Sequence, residues 1–330
     1  MKLYLLLLVV LMGTTQISRA QVILQTELFK TDGTQVNDPD SADFVRIVEK
    51  ADSGSTMLII REFYADGTRK SLANSVSLIP LQYEGSYISF HPNGKKKEMS
   101  KYHNGYLIDT TYNFYPNGRL YTAKYEIPPI NADKFDAFPA PTYYIKTMKD
   151  STGKDIVIEG NGQGVIYEDD FKMIVERGEI KNGVHEGIWI GELQSPKLKY
   201  LESFSAGKLI SGESTETDGT IYRYTQDRVN PHYKGGMELF YKYIRENVRY
   251  PPSAQENHIQ GKVYMKFTIL EDGTLTDIRM LHSPGRSLTE EAFRVIRNSG
   301  PWEPATWKGK KVKVAYNMPV SFTLSGGYGN

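Results

Sequence analysis

The chain has 330 residues, with 40 Lys and Arg against 39 Asp and Glu, which is a net charge of +1. This balance argues against a nucleic-acid-binding protein, because such proteins carry a basic excess. Cysteine is absent, which excludes disulfide bonds, thiolate metal sites and a cysteine nucleophile. The length allows two or three domains at roughly 100–200 residues each, and the 23 tyrosines and 29 glycines favour short strands and tight turns.

Residues 1–20 have the pattern of a secretory signal peptide. Lys2 supplies a positive charge, Leu3–Met12 is an unbroken apolar run, and Ser18 and Ala20 are small residues where signal peptidase cleaves. We expect cleavage after Ala20, which leaves a mature periplasmic protein without a stable membrane span. The alternative is a retained inner-membrane anchor, although a spanning helix needs about 20 apolar residues.

From residue 61 onward, an aromatic residue followed by a turn recurs along the chain. The copies occupy residues 63–68, 90–95 and 114–119, and Asn104-Gly105 forms a further turn signal between the last two. Asn-Gly and Asp-Gly pairs suit two-residue turns in which both central residues have positive φ. The pattern therefore predicts stacked β-hairpins.

Residues 127–141 interrupt this pattern with Pro128, Pro129, Pro139 and Pro141, which predicts a Pro-rich linker. The hairpin pattern resumes within residues 142–225. The units in 61–126 and 160–225 resemble MORN-type repeat variants of exported bacterial proteins. The resemblance implies a β-rich scaffold over residues 21–126 and again over 142–225, without a particular chemistry.

Residues 226–330 predict an α+β domain that folds by itself. Apolar residues at helical spacing from Met237 to Val248 predict a helix, which ends at Tyr250-Pro251 because the residue before a proline avoids helical geometry. Residues 263–269 alternate as a half-buried strand, and Asp272-Gly273 turns the chain into a second strand.

The rest of this region predicts a second helix and a last strand. Ser287 and Glu290 have the spacing of a capping box at the start of the helix. Alternating apolar residues over 312–322 predict the strand. Pro319 within it marks an edge strand or the end of pairing, because proline cannot donate to a ladder.

The C-terminal region resembles the C-terminal domain of TonB energy transducers. The resemblance covers about 95 residues of the region and comprises an ordered series of motifs: Pro231-x-x-x-Gly235-Gly236, Tyr250-Pro251, Gly261-x-Val263, Asp272-Gly273, Pro301-Trp302-x-Pro304-Ala305, Gly309-Lys310 and Pro319-Val320-x-Phe322. It implies two helices on a three-stranded antiparallel sheet, preceded in this chain by the mostly β hairpin repeats.

The resemblance also implies binding by strand addition, in which an extended segment of a partner pairs with the last strand. The implied partner is an envelope protein, with a TonB-dependent outer-membrane transporter as one candidate. The implied contact residues are Val314, Ala315, Tyr316, Asn317 and Met318.

The resemblance places Tyr250 and Pro251 beside the last strand, as further partner contacts. A tyrosine at this position also suits a small hydrophobic core, so both interpretations of Tyr250 stay open.

No catalytic constellation is evident. The six histidines lack metal-ligand spacing, and neither a nucleophile elbow nor a phosphate-binding loop is present. We therefore expect a non-enzymatic protein without a cofactor or metal. The first hypothesis is an exported adaptor that binds an envelope protein, and the second is an atypical transducer component in transmembrane transport with a retained anchor. In a third, the repeats themselves recognise a protein or a glycan.

Overall fold

The computed structural model describes residues 22–51, 54–127, 142–300 and 302–324. The predicted signal peptide and nearly all of the predicted linker lie outside these residues. The chain forms two compact units. One reaches to Leu193 and includes Ser203–Lys208, and the other comprises Gln194–Glu202 and Leu209–Asn330. The second unit thus takes in part of the β region before residue 226, and the predicted boundary there stays a prediction.

The first unit is built from antiparallel strands, most of which pair with their neighbours in the chain. The strands are β1 (Ile23–Phe29), β2 (Gln35–Val36), β3 (Phe44–Lys50), β4 (Leu58–Tyr64), β5 (Arg69–Leu78), β6 (Leu81–Tyr83), β7 (Gly85–Phe90), β8 (Lys96–His103), β9 (Tyr106–Phe114), β10 (Leu120–Ile127), β11 (Thr142–Lys149), β12 (Asp155–Ile158), β13 (Asn161–Tyr167), β14 (Ile174–Lys181) and β15 (Val184–Gln194). A short 3-10 helix, Pro39–Ser41, precedes β3.

Trp189 anchors the larger core of this unit. Its side chain is fully buried with Met148 and Ile180, and its indole N–H donates to the carbonyl oxygen of Glu179 at 3.0 Å. Gly178 lies directly against the ring, since a Cβ there would be 2.5 Å from the indole. The glycine is therefore required by close packing, and the polar indole nitrogen is satisfied by the backbone.

The hairpin turns are of two kinds. Asn104 and Gly105 have φ of 51° and 81°, as a two-residue turn requires. In the three aromatic copies only the glycine has positive φ, so the two-residue prediction is wrong there. The reason is that the preceding Asp or Asn side chain accepts a hydrogen bond from the N–H two residues later, as Asn117 does from Arg119 at 2.9 Å, which stabilises a longer turn.

Each of these turns is bonded to the next one. Asn93 Nδ2 donates to the carbonyl oxygen of Pro116 at 2.7 Å, and Asn117 Nδ2 donates to that of Ser151 at 2.8 Å. The aromatic position makes a parallel series, in which the side chains of Tyr64, His91 and Tyr115 bond the carbonyl oxygens of Phe90, Phe114 and Lys149 at 2.9, 2.8 and 2.9 Å. The repeated residues thus explain the stacking of the hairpins.

The second unit contains further strands and all three α-helices of the described residues. The elements are β16 (Lys197–Ser205), β17 (Lys208–Glu216), β18 (Ile221–Tyr224), β19 (Arg228–Val229), β20 (His232–Tyr233), α1 (Met237–Asn247), α2 (Pro252–Glu256), β21 (Gly261–Ile269), β22 (Leu275–His282), α3 (Arg286–Arg297), β23 (Trp302–Glu303), β24 (Ala305–Trp307), β25 (Lys310–Val312) and β26 (Val314–Phe322). A three-stranded antiparallel sheet has the order β22-β21-β26. Compared with the predicted two helices, the structure has the additional short helix α2.

The core of the second unit lies between this sheet and the helices. Phe240 of α1 and Leu288 of α3 are fully buried against Val263, Met265 and Phe267 of β21. The alternation of residues 263–269 therefore places one face of β21 in the core and leaves the other polar.

The capping box predicted at Ser287 is absent. Helix α3 begins at Arg286 after Gly285 and has no side-chain cap. Ser283 is engaged instead, since its hydroxyl donates to the carbonyl oxygen of Gly285 at 2.9 Å within the preceding turn. The strand-to-helix turn therefore ends earlier than the sequence pattern indicates, and Ser287 falls inside the first helical turn, where it has no N-cap role.

Lys308 connects strands β16 and β17 with the C-terminal elements. Its Nζ lies 2.6 Å from Glu202 Oε1 and 2.8 Å from Asp227 Oδ1, and 3.7 Å from the centre of the Tyr200 ring. Its carbonyl oxygen accepts a hydrogen bond from the Ser214 hydroxyl at 2.7 Å. The lysine side chain is only 7% exposed, so this is a buried charge with two carboxylate partners.

A candidate partner-binding edge

Strand β26 forms one edge of the three-stranded sheet. It pairs with β21 in continuous register from Val314 opposite Ile269 to Phe322 opposite Gly261. Among the described residues, no strand pairs with its other side. The strand is shorter than predicted, because Val312 pairs with Ala305 in the separate β24–β25 hairpin. An edge of this kind presents unpaired backbone groups to a partner.

The side chains of β26 alternate between core and solvent. Met318 is buried, Tyr316 and Val314 are half-buried, and Ala315 and Asn317 are exposed. The Tyr316 ring lies 5.8 Å from that of Phe267, and burial raises the pKa of the Tyr316 hydroxyl, so that it stays protonated at neutral pH. The inward side chains thus hold the strand in place, while the outward ones are available for recognition.

Pro319 indicates which backbone groups of β26 point away from the sheet. In a strand, the N–H and C=O of one residue point to the same side, and the side alternates from residue to residue. A proline has no N–H, so in an edge strand its nitrogen occupies the open side. It follows that Ala315 and Asn317 direct their N–H and C=O outward, whereas Tyr316 and Met318 pair with β21.

Comparison with known proteins bears on this region alone. Residues 246–324 match the family model described as Gram-negative bacterial TonB protein C-terminal. Residues 246–324 are a TonB C-terminal domain.

Two solution structures of the Helicobacter pylori TonB C-terminal domain are 28% and 27% identical to the matched residues. They cover 27% and 26% of this chain and 80% and 91% of their own, each with a TM-score of 0.23. No curated protein matches the chain.

In the TonB C-terminal domain, Tyr250 is packed at one end of β26. Its ring lies 5.9 Å from that of Phe322, and its hydroxyl donates to the carbonyl oxygen of Ile259 at 2.8 Å. Pro251 follows as the residue before α2. The structure thus brings Val314–Met318 together on one strand, and places Tyr250 and Pro251 near the opposite end of that strand, where the tyrosine already has internal contacts.

The domain offers one outward residue that the sequence reasoning did not include. Ser321 is exposed and lies two residues after Pro319 on the same strand. Because backbone direction alternates along a strand, its N–H and C=O point outward, like those of Ala315 and Asn317. Its spacing of two residues from Pro319 is the feature of the sequence from which Ser321 could have been predicted as a further edge residue. The open edge therefore has two donors before the proline and one after it.

The described residues show neither a cluster of three His, Asp or Glu that could hold a metal ion nor a membrane-spanning helix. Each helix of the described residues is too short or too polar to cross a bilayer.

Proposed function

We propose that this protein is an exported periplasmic adaptor. Its TonB C-terminal domain binds an extended segment of an envelope protein, with an outer-membrane transporter as the leading candidate, by adding that segment as a strand to β26. The observation that carries the proposal is the open edge of β26, with the backbone groups of Ala315 and Asn317 directed outward. The signal peptide would deliver the protein, and the hairpin region would act as a spacer and docking surface.

The expected affinity follows from the number of hydrogen bonds. Ala315 and Asn317 offer two N–H and two C=O groups, and each bond contributes about 0.5–1.5 kcal/mol net. These four bonds supply about 2–6 kcal/mol, which corresponds to dissociation constants from tens of millimolar to tens of micromolar before side-chain contacts and the outward groups of Ser321 are added. Side chains opposite the exposed residues of β26 therefore determine which segment is bound.

Proline substitution tests the proposed edge. Ala315→Pro removes an outward N–H and should weaken binding of a transporter-derived extended peptide about two- to tenfold, with the domain still folded. Tyr316→Pro removes an N–H that pairs with β21 and should destabilise the domain by about 3 kcal/mol or more. Calorimetric titration with the peptide and thermal unfolding measure the two effects separately.

Ala315→Val is the matched control, because it keeps the N–H and suits a strand; it should bind like the wild type. If Ala315→Pro folds and binds the peptide as tightly as Ala315→Val, strand addition at β26 is wrong. The transducer alternative predicts a different N-terminus: sequencing a membrane-bound species that begins at Met1 would favour it, whereas a mature protein beginning at Gln21 favours the adaptor.

A further inference from the structure

One end of the first unit exposes an apolar surface, where the ends of β1, β3, β4 and β5 meet. The N–H of Lys50 donates to the carbonyl oxygen of Val22 at 2.9 Å. Lys50 in turn pairs with Leu58, and Leu58 with Ser75, so that the strand ends form one row. The turn between β5 and β6 extends beyond this row. Residues 22–24, 57–58 and 76–81 are named the apolar end here.

The β5–β6 turn differs in composition from the repeated hairpin turns. Those turns contain Asp-Gly or Asn-Gly, whereas this one reads Leu78-Ile79-Pro80-Leu81. The Ile79 side chain is 78% exposed, although isoleucine is normally a buried residue. Val76 is 46% exposed, and the first three residues of the neighbouring edge, 22–24, are 43–58% exposed. A cluster of exposed apolar side chains marks an interaction surface.

Hydrogen bonds within the hairpin satisfy backbone groups next to the turn. Ser75 is fully buried, and its Oγ accepts from the N–H groups of Gln82 and Ser77 at 2.8 and 3.3 Å. The same hydroxyl donates to the carbonyl oxygen of Ser77 at 2.6 Å. Pro80, in the centre of the turn, has no N–H that needs a partner. This arrangement suits an apolar environment, because lipid cannot replace the hydrogen bonds that water makes with the backbone.

The polar groups around the apolar end suit the level of lipid headgroups. Among the described residues of these strand ends, Lys50 is the exposed charged side chain, since Glu49 is buried in an ion pair. A lysine can keep its stem in lipid and its ammonium in water. Tyr106, 45% exposed, lies beside β6, because the N–H of Gly105 donates to the carbonyl oxygen of Tyr83 at 2.9 Å. Tyrosine is enriched at membrane interfaces.

We propose that the apolar end inserts into a phospholipid bilayer, at the periplasmic face of the inner membrane. Val22 follows directly on residues 1–21, whose apolar run Leu3–Met12 is the segment that would enter this membrane during export. This step rests on the export in the proposed function, whereas the strand addition uses the second unit only. A protein partner would need polar groups that fix its orientation, and the turn offers only the half-buried Ser77.

Fluorescent labelling at single cysteines tests the proposal in the mature chain that begins at Gln21, because the chain has no cysteine of its own. Ile79→Cys receives an environment-sensitive NBD label. Ile158→Cys is the matched control, since Ile158 is 61% exposed on β12 of the same unit. With vesicles of phosphatidylethanolamine and phosphatidylcholine, we expect the label at position 79 to shift its emission to the blue and to be quenched by nitroxide lipid. The label at position 158 should show neither effect.

Unlabelled variants measure the contribution of the side chain. Ile79→Asp should lower the vesicle partition coefficient about tenfold, as expected for an isoleucine that leaves water, whereas Ile158→Asp should leave it unchanged. Binding of the extended peptide should be the same in both variants, so failure here is distinguishable from failure of strand addition. Circular dichroism checks that each variant is folded.

Three results would each overturn the proposal. The first is a label at position 79 that does not respond to vesicles, and the second is an equal response at positions 79 and 158. The third is a dimer that forms without vesicles and that Ile79→Asp dissociates in sedimentation velocity, because the apolar end would then bind a second copy of the chain.

Discussion

At the scale of the residue, buried charged side chains contribute to the stability of the second unit. Lys308 is the clearest case, since its side chain is 7% exposed and its ammonium faces Glu202, whose side chain is 3% exposed. The Tyr224 hydroxyl also donates to Glu202 Oε1, at 2.8 Å. Taking such charges out of water is costly, and the cost is offset only while both partners are present. The Lys308–Glu202 ion pair therefore stabilises the arrangement in which the β24–β25 turn lies against Tyr200 and Tyr224.

Replacing Lys308 with Met should destabilise the second unit by about 3–5 kcal/mol, because it leaves Glu202 buried without its cation. Lys310→Met is the control, since Lys310 Nζ contacts Glu216 Oε2 at 2.7 Å in a pair that is 28% and 22% exposed. That variant should lose no more than about 1 kcal/mol. Urea unfolding measures both, and equal midpoints would show that the Lys308 contacts are dispensable.

The carboxylate of Glu62 gives the first unit a dependence on pH. Burial by itself raises the pKa of Glu62, but Lys70 and Arg46, 2.6 and 2.8 Å away, outweigh it and hold the pKa below its ordinary value of 4.5. A lowered folded pKa contributes stability that is complete above the unfolded pKa and is lost as the pH falls through the folded pKa.

Glu62→Gln should therefore lower the melting temperature at pH 7 and flatten its decline below about pH 4.5. Glu27→Gln is the control, because Glu27 lies 3.8 Å from the same Arg46 in a weaker contact. Melting temperatures between pH 3 and pH 7 measure the effect. If the melting temperature of Glu62→Gln fell as steeply at acid pH as that of the wild type, Glu62 would not be the source of this pH dependence.

At the scale of the element, the hairpins are held by bonds from each turn to the next. The side chains concerned occupy equivalent positions in the repeats, and the series continues from Asn117 to Ser151 although the Pro-rich residues 128–141 lie between them in the chain. The insertion therefore does not alter the stacking order of the described hairpins.

Asn117→Ala should cost about 1–3 kcal/mol, because it removes one bond within its own turn and one to Ser151, each worth roughly 0.5–1.5 kcal/mol net. Asn117→Asp keeps the acceptor for the Arg119 N–H but loses the donor to Ser151. Its free energy of unfolding should therefore lie between those of Asn117→Ala and the wild type. Hydrogen exchange of β11 amides reports the loss locally, and unchanged protection in Asn117→Ala would refute the role of the turn series.

At the scale of the whole molecule, the second unit is larger than the TonB C-terminal domain. The compact unit includes Gln194–Glu202 and begins again at Leu209, whereas the family model starts at residue 246. The difference consists largely of β16–β18, which supply Glu202 and Ser214 to Lys308.

Two fragments test the contribution of these strands. A fragment of residues 226–330 keeps Asp227 but lacks Glu202, Tyr200 and Ser214, whereas 194–330 retains them all. We expect both fragments to fold and the shorter one to be less stable, because it loses the contacts of Lys308 with Glu202 and Tyr200 and the hydrogen bond from Ser214. Urea midpoints measure the difference. Identical midpoints would show that β16–β18 add nothing to the C-terminal domain.

Local patterns in the sequence determined much of the second unit. Alternation in residues 263–269 and 312–322 predicts which side chains enter the core, because successive side chains of a strand face opposite sides, although the strand itself begins at Val314. Tyr250-Pro251 predicts the end of α1, and the ordered motifs predict the TonB C-terminal domain that the family comparison supports. These features depend on residues close together in the chain.

Only the tertiary structure decided the features that join distant residues. Lys308 and Glu202 are 106 positions apart, and neither residue type predicts burial, since charged side chains are rarely buried unless paired. The left-handed Phe171 contradicts its own backbone preference, and packing against residues distant in the chain, Tyr115 and Tyr121, offsets that cost. Likewise, Pro319 by itself was compatible with an edge strand or with the end of pairing, and only the register with β21, which continues past it to Phe322, decided for the edge strand.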